Sequence, residues 1–204
     1  MKKIKVLGIT GGVGAGKSTA LRYLEEAYRA SVLEADKIAH LLMEPGEACY
    51  GGITAYFGSQ ILREDGSLDR GKLGKIVFSD PEKLRKLNEI VHPAVKAYIR
   101  DRICQERKAR LAPFVAVEAA LLLEDGYEEI CDEIWYLYAS EQVRIRRLMA
   151  SRGYTRERAR QIMGNQLPEE TFRERCQFVV DNSSDHVEHT YEQIDRGLRE
   201  HEFL

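Results

Sequence analysis

Gly11-Gly12-Val13-Gly14-Ala15-Gly16-Lys17-Ser18 follows the apolar run Ile4–Ile9 and leads into a segment of helical periodicity, and that order decides the fold. The stretch satisfies G-x-x-x-x-G-K-[ST] in full. Glycines let consecutive backbone N–H groups turn inward toward phosphate oxygens, where a Cβ would obstruct. A helix starting near Lys17 adds the positive end of its dipole. The Lys17 ammonium can reach β- and γ-phosphates, and the Ser18 hydroxyl can ligate Mg²⁺. Gly12, Val13, Gly14, Ala15, Gly16, Lys17, Ser18 and Thr19 are therefore expected to bind ATP together with Mg²⁺.

Outward from this loop, Ser31–Ala35, Phe114–Glu118, Glu133–Tyr138 and Phe178–Asp181 also read as strands. Helical segments separate them, which predicts a three-layer α/β fold, a five-stranded parallel sheet with helices on both faces. The helix Lys17–Tyr28 carries Ala20, Leu21, Leu24, Ala27 and Tyr28 on one face. A last amphipathic helix is expected from Val187. Residues 45–112 interrupt the alternation with turn signals at Pro45-Gly46, Gly51-Gly52, Asp65-Gly66 and Asp80-Pro81. A charged helical run then follows from Glu82 to about Ala109, which His92-Pro93 is expected to kink or divide. This excursion reads as an acceptor-binding insertion in a single domain whose core spans about 1–44 and 113–204.

The chain has 204 residues, 31 Lys plus Arg against 33 Asp plus Glu, and a formal net charge of −2. That balance gives no electrostatic reason to expect nucleic acid as a partner. The four cysteines are scattered without a C-x-x-C pair, and no apolar run reaches the length of a membrane span. Free thiols, a cytoplasmic location, no membrane association, and a monomer or small homo-oligomer are expected.

The loop alone does not separate kinases from nucleotide switches. No Asn-Lys-x-Asp guanine motif is present, and an arginine-rich helix, Glu141–Arg152, runs into Gly153-Tyr154-Thr155. Arginines at such a turn suit a closing lid, placed at about 147–166, which would bring cations to a transferring phosphoryl group. Asp36 lies just past the second strand, at the sheet edge where open α/β folds bind ligands. It can accept a proton from an acceptor hydroxyl or hold metal-bound water, or cap the helix Lys37–Met43.

Taken together, these segments resemble the dephospho-CoA kinase family over nearly the whole length. Gly8–Thr19, Glu34-Ala35-Asp36-Lys37-Ile38-Ala39-His40, Phe57-Gly58, Asp65–Arg70, Leu73–Phe78, Leu87–Pro93, Leu121-Leu122-Leu123-Glu124, Arg147, Arg152, Gln166 and Val180-Asp181-Asn182 carry the likeness. The resemblance implies a P-loop kinase fold, with transfer from ATP to the 3′-hydroxyl of dephospho-CoA. It makes Asp36 the candidate base, with Lys17, Arg147 and Arg152 beside it in catalysis. Asp36, Arg70, His92, Leu121 and Leu122 become acceptor-side residues, and Asn182 lies near the adenine. Glu34, His40 and Ala120 depart from the pattern, and Glu118 is either a carboxylate near Mg²⁺ or the partner of an arginine. Two alternatives stay open: another nucleoside-monophosphate-type kinase, and a nucleotide-binding switch acting through a partner.

Overall fold

The structure, a computed structural model, describes residues 3–204. The apolar runs form β1 (Val6–Thr10), β2 (Ser31–Glu34), β3 (Val115–Glu118), β4 (Glu133–Tyr138) and β5 (Phe178–Asp181), ordered β2-β3-β1-β4-β5 in one all-parallel sheet. Every residue of β1 and β3 is buried, as expected where both faces of a parallel sheet are covered. The register sets Ile9 beside Glu118 and Thr10 beside Tyr136. The carboxyl ends of β3 and β4 thus stand level with the loop that leaves β1.

Nine α-helices connect these strands among the described residues: α1 (Lys17–Tyr28), α2 (Ala35–Leu42), α3 (Tyr50–Phe57), α4 (Arg70–Ser79), α5 (Pro81–Ala109), α6 (Glu141–Arg152), α7 (Arg156–Gly164), α8 (Glu169–Arg175) and α9 (Val187–Glu200). They fall into two compact units, residues 3–33 with 105–204, and residues 34–104.

In the first unit, strand alternation sends Leu7, Ile9, Trp135 and Leu137 to one face. There they pack with Leu21 and Leu24 of α1 and with Ile194 and Leu198 of α9. Tyr136 points the other way and stacks on Phe172 of α8 with ring centroids 4.8 Å apart. Burying each such side chain contributes about 1.5–3 kcal/mol, so this two-sided packing holds β1, and the loop it feeds, in place. The expected apolar face of α1 is narrower than its sequence pattern: Ala20, Leu21 and Leu24 are buried, Tyr28 is partly so, and Ala27 is exposed.

The second unit holds α2, α3, α4 and most of α5. Asp69 caps α4 by accepting the Lys72 N–H at 3.0 Å, and Asp80 accepts the N–H groups of Glu82 and Lys83 to start α5. Two sequence expectations change here. Gly51-Gly52 lies inside α3 rather than in a turn, because Ile53 and Phe57 are buried one helical turn apart. His92-Pro93 does not divide the long helix: α5 runs unbroken for 29 residues with Pro93 inside it. Val91, Val95, Ile99 and Ile103 form a buried stripe through that region, and their packing outweighs the one backbone bond that Pro93 cannot donate.

Candidate active site

The loop between β1 and α1 is shaped by what surrounds it. Gly11 has φ 151°, and a Cβ there would run into the Leu137 carbonyl oxygen. Gly16, at φ 94°, would drive a Cβ into the Asn182 side chain. That asparagine is buried because both ends of its amide are used: Nδ2 donates to the Ala15 carbonyl at 2.7 Å, and Oδ1 accepts from Thr190 Oγ1 at 2.8 Å. The helix that follows has no side-chain cap and no acidic residue in its first turn. Thr19 N–H already donates to the Gly16 carbonyl at 3.0 Å, so the N–H groups of Lys17 and Ser18 are the ones this helix start offers to an anion. Ser18 is exposed on the same turn.

Lys17 Nζ donates to the Gly11 carbonyl at 2.8 Å and lies 3.5 Å from Glu118 Oε1, at the end of β3. Glu118 therefore faces the lysine of the loop. From α6, Arg147 Nη1 reaches the Ala15 carbonyl at 3.4 Å. One turn earlier, Arg144 Nε donates to the Val13 carbonyl at 2.9 Å and Nη2 to Gln166 Oε1 at 2.6 Å. The Gln166 oxygen also accepts the Val13 N–H at 3.0 Å. Burial pulls both guanidinium groups down in pKa; for Arg144 the carboxylate charges of Glu141 and Glu169 oppose this. Burial and the charge of Glu169 push the Tyr136 phenol up to about 12, so it is neutral beside them.

Within this unit the structure thus brings together Lys17, the loop backbone, Arg147 and Asn182. It does not bring Arg152 there: that residue ends α6, exposed, with its guanidinium 6.0 Å from the Tyr154 ring centroid. Leu122 is wholly buried, whereas its neighbour Leu121 is 45% exposed. Arg144 is the residue that sequence reading passed over. Its signal was the spacing Arg144-x-x-Arg147, which sets two guanidinium groups on one helix face.

A kinase loop of this construction fits what comparison with known proteins finds. A family model described as dephospho-CoA kinase matches residues 5–188. The chain belongs to the dephospho-CoA kinase family. A dephospho-CoA kinase of Carboxydothermus hydrogenoformans is 40% identical over 194 residues, which is 95% of this chain and 93% of that protein. Among solved structures, a protein of Thermus thermophilus superposes with a TM-score of 0.78 at 32% identity, covering 98% of each chain. The dephospho-CoA kinase of Campylobacter jejuni superposes with a TM-score of 0.72 at 23% identity, covering 97% of this chain and 98% of that one, a likeness of fold.

The remaining residues that the family resemblance singled out belong to the second unit. Asp36 is exposed in the first turn of α2, where the N-cap position is Glu34, so Asp36 is not the cap. Glu34 pairs with Lys37 at 2.6 Å. Arg70, the first residue of α4, donates to Glu44 Oε1 at 2.7 Å and to the His40 carbonyl at 3.3 Å, joining the start of α4 to the end of α2. His92 lines an open cleft along α5 with Pro81, Leu84, Arg85, Asn88 and Glu89. Tyr56 and Phe78 expose 48% and 88% of their surface, whereas the neighbouring Phe57 is 5% exposed and part of the core.

One side-chain oxygen on the loop suits a magnesium ion. Mg²⁺ in phosphotransferases takes one or two protein oxygens, the rest coming from phosphates and water. The exposed Ser18 hydroxyl, on an uncapped helix start beside Lys17, supplies such an oxygen. No helix among the described residues is long and apolar enough to cross a membrane. All four cysteines are free thiols, with only Cys104 classed as exposed.

Proposed function

We propose that this chain transfers the γ-phosphoryl group of ATP to the 3′-hydroxyl of dephospho-CoA, giving CoA and ADP in the last step of coenzyme A synthesis. The single observation that carries the reading is the held Lys17, fixed between the Gly11 carbonyl and Glu118 at the head of an uncapped helix, in a chain of this family. The loop N–H groups bind the phosphate chain. Lys17 and Arg147 neutralise charge on the equatorial oxygens as the bond to the leaving ADP lengthens. Asp36, two residues past the carboxyl end of β2, accepts the hydroxyl proton while the 3′-oxygen forms its bond to phosphorus. Ser18 would hold a divalent cation such as Mg²⁺, which would supply charge neutralisation along the phosphate chain. Arg70, His92 and Leu121 serve the acceptor side. Asn182 acts on the nucleotide through the loop, since its amide is buried against Ala15. ADP release from ATP with dephospho-CoA, followed by phosphorus NMR of the product, tests the reading. A new phosphomonoester on the 3′-oxygen is expected, and no turnover, or a phosphate elsewhere, overturns it.

A further inference from the structure

We infer that Arg144 is a positioning residue for phosphoryl transfer, fixing the backbone of Val13 at the end of the loop that faces the transferred group. The inference rests on the ATP-dependent transfer proposed above. Three hydrogen bonds form a closed ring: Arg144 Nε to the Val13 carbonyl at 2.9 Å, Arg144 Nη2 to Gln166 Oε1 at 2.6 Å, and the Val13 N–H to that same oxygen at 3.0 Å. Both polar groups of one backbone residue are held, and each side chain fixes the other. Gly12 makes room for the ring, because a Cβ there would overlap the Arg144 guanidinium. A planar fork can make two bonds at a fixed angle, which an ammonium cannot.

The place of Val13 in the loop gives this role its direction. Lys17, the group that meets the β- and γ-phosphates, rests against the Gly11 carbonyl. The opening of the loop, Gly11 to Val13, therefore borders the γ end, while the first turn of α1 borders the phosphates nearer the nucleoside. Arg147 reaches Ala15, further along the loop. Arg144 acts at the reacting end, through its hold on the Val13 carbonyl and on Gln166. Its effect belongs to the transfer step and not to the affinity for ADP, which lacks the γ-phosphate.

Arg144→Ala and Arg144→Lys are to be compared with the wild-type protein in ADP affinity by calorimetry, in steady-state kinetics with ATP and dephospho-CoA, and in Tm. Arg144→Ala should lower kcat by about 10- to 100-fold, and Arg144→Lys by a smaller factor, with the Kd for ADP within about two-fold of wild type. Gln166→Ala should match Arg144→Ala, and the double variant should be no worse than either single change, as expected of one ring. A wild-type kcat in a folded variant overturns the inference. So does a parallel loss of ADP affinity and kcat, which marks a merely structural role. If Arg144→Ala does not fold, Arg144→Lys decides by the same criteria. If the wild-type protein leaves dephospho-CoA untouched, the proposed function falls on its own. The split between kcat and ADP affinity is then measured with whichever acceptor it phosphorylates.

Discussion

The Lys17 ammonium stands 3.5 Å from the Glu118 carboxylate, and both side chains are more than four-fifths buried. Glu118 ends β3 directly opposite Ile9 of β1, so the sheet itself holds the counter-charge in place. A cation fixed in this way is preorganised for charge that develops on a transferring phosphoryl group. Lys17→Ala should therefore lower kcat by about 10²–10³-fold, the usual loss for one preorganised donor. The assay is ADP release with dephospho-CoA, with thermal unfolding as the check that the variant is folded. Near-wild-type turnover by a folded variant would remove this lysine from the mechanism.

Asp36→Asn should keep ATP affinity while depressing kcat severely, because an amide nearly matches the carboxylate in shape but cannot take up the hydroxyl proton. Asp36 is exposed in the first turn of α2 and is not its cap. The fold loses only its favourable interaction with the helix dipole, about 0.3–1 kcal/mol. Titration of the variant with ATP separates the outcomes: lost affinity with retained kcat would reassign Asp36 to a metal-holding or structural role.

The two arginines named from the sequence should now behave differently. Arg147 reaches the loop at the Ala15 carbonyl, whereas Arg152 is exposed at the end of α6 beside Tyr154. Arg147→Ala should lower kcat by about 10-fold or more, with a lesser effect on the KM for ATP. Arg152→Ala should reduce kcat by a smaller factor in the same assay. The reverse ranking would mean that lid closure carries Arg152 past Arg147 during the reaction.

The five strands, the loop and the extent of α1 were legible because each has a local cause. An all-buried run reads as a strand, and the residues of a phosphate loop are dictated by backbone angles that few side chains permit. The continuity of α5 through Pro93 was not legible, since a buried stripe spanning several turns overrides a local helix breaker. The burial of Asn182 was equally hidden, because Ala15 and Thr190, its partners, lie 167 and 8 residues away in sequence. Arg144 was passed over for a similar reason: its contact with Val13 spans 131 residues and depends on the path of the intervening strands.

Asp132 links stability to pH. Burial alone would raise its pKa, but the hydrogen bonds from Lys3 and the Val6 N–H, with the charges of Lys3 and Arg107, outweigh it and hold the carboxyl below its usual value. A carboxyl depressed in the folded state contributes stability that is present above its unfolded pKa of about 3.9. That contribution is lost as pH falls from there through the folded value. Asp132→Asn should flatten the acid limb of the stability curve while lowering stability near neutrality. Urea unfolding between about pH 3 and pH 7 measures both. Parallel curves for variant and wild type would show that the acid sensitivity lies elsewhere.

Acceptor choice is where the proposed reaction is most exposed to refutation. Dephospho-CoA should be phosphorylated in strong preference to AMP, adenosine and shikimate. Residues 34–104 form a compact unit of their own. Its surface presents Tyr56 and Phe78 as exposed aromatic rings and Arg70 as an exposed cation held by Glu44, which suits a pyrophosphate joined to a long, partly apolar arm. Binding energy from that arm can be used to align the ribose hydroxyl with the γ-phosphorus, so a shortened acceptor should lose kcat as well as affinity. An acceptor that keeps the adenosine portion and lacks the pantetheine arm should show kcat lower by about 10-fold or more and a raised KM. Loss of affinity with unchanged kcat would mean that the arm serves binding alone. Efficient phosphorylation of AMP with dephospho-CoA inert would overturn the assignment of substrate while leaving the phosphate loop and its lysine in their roles.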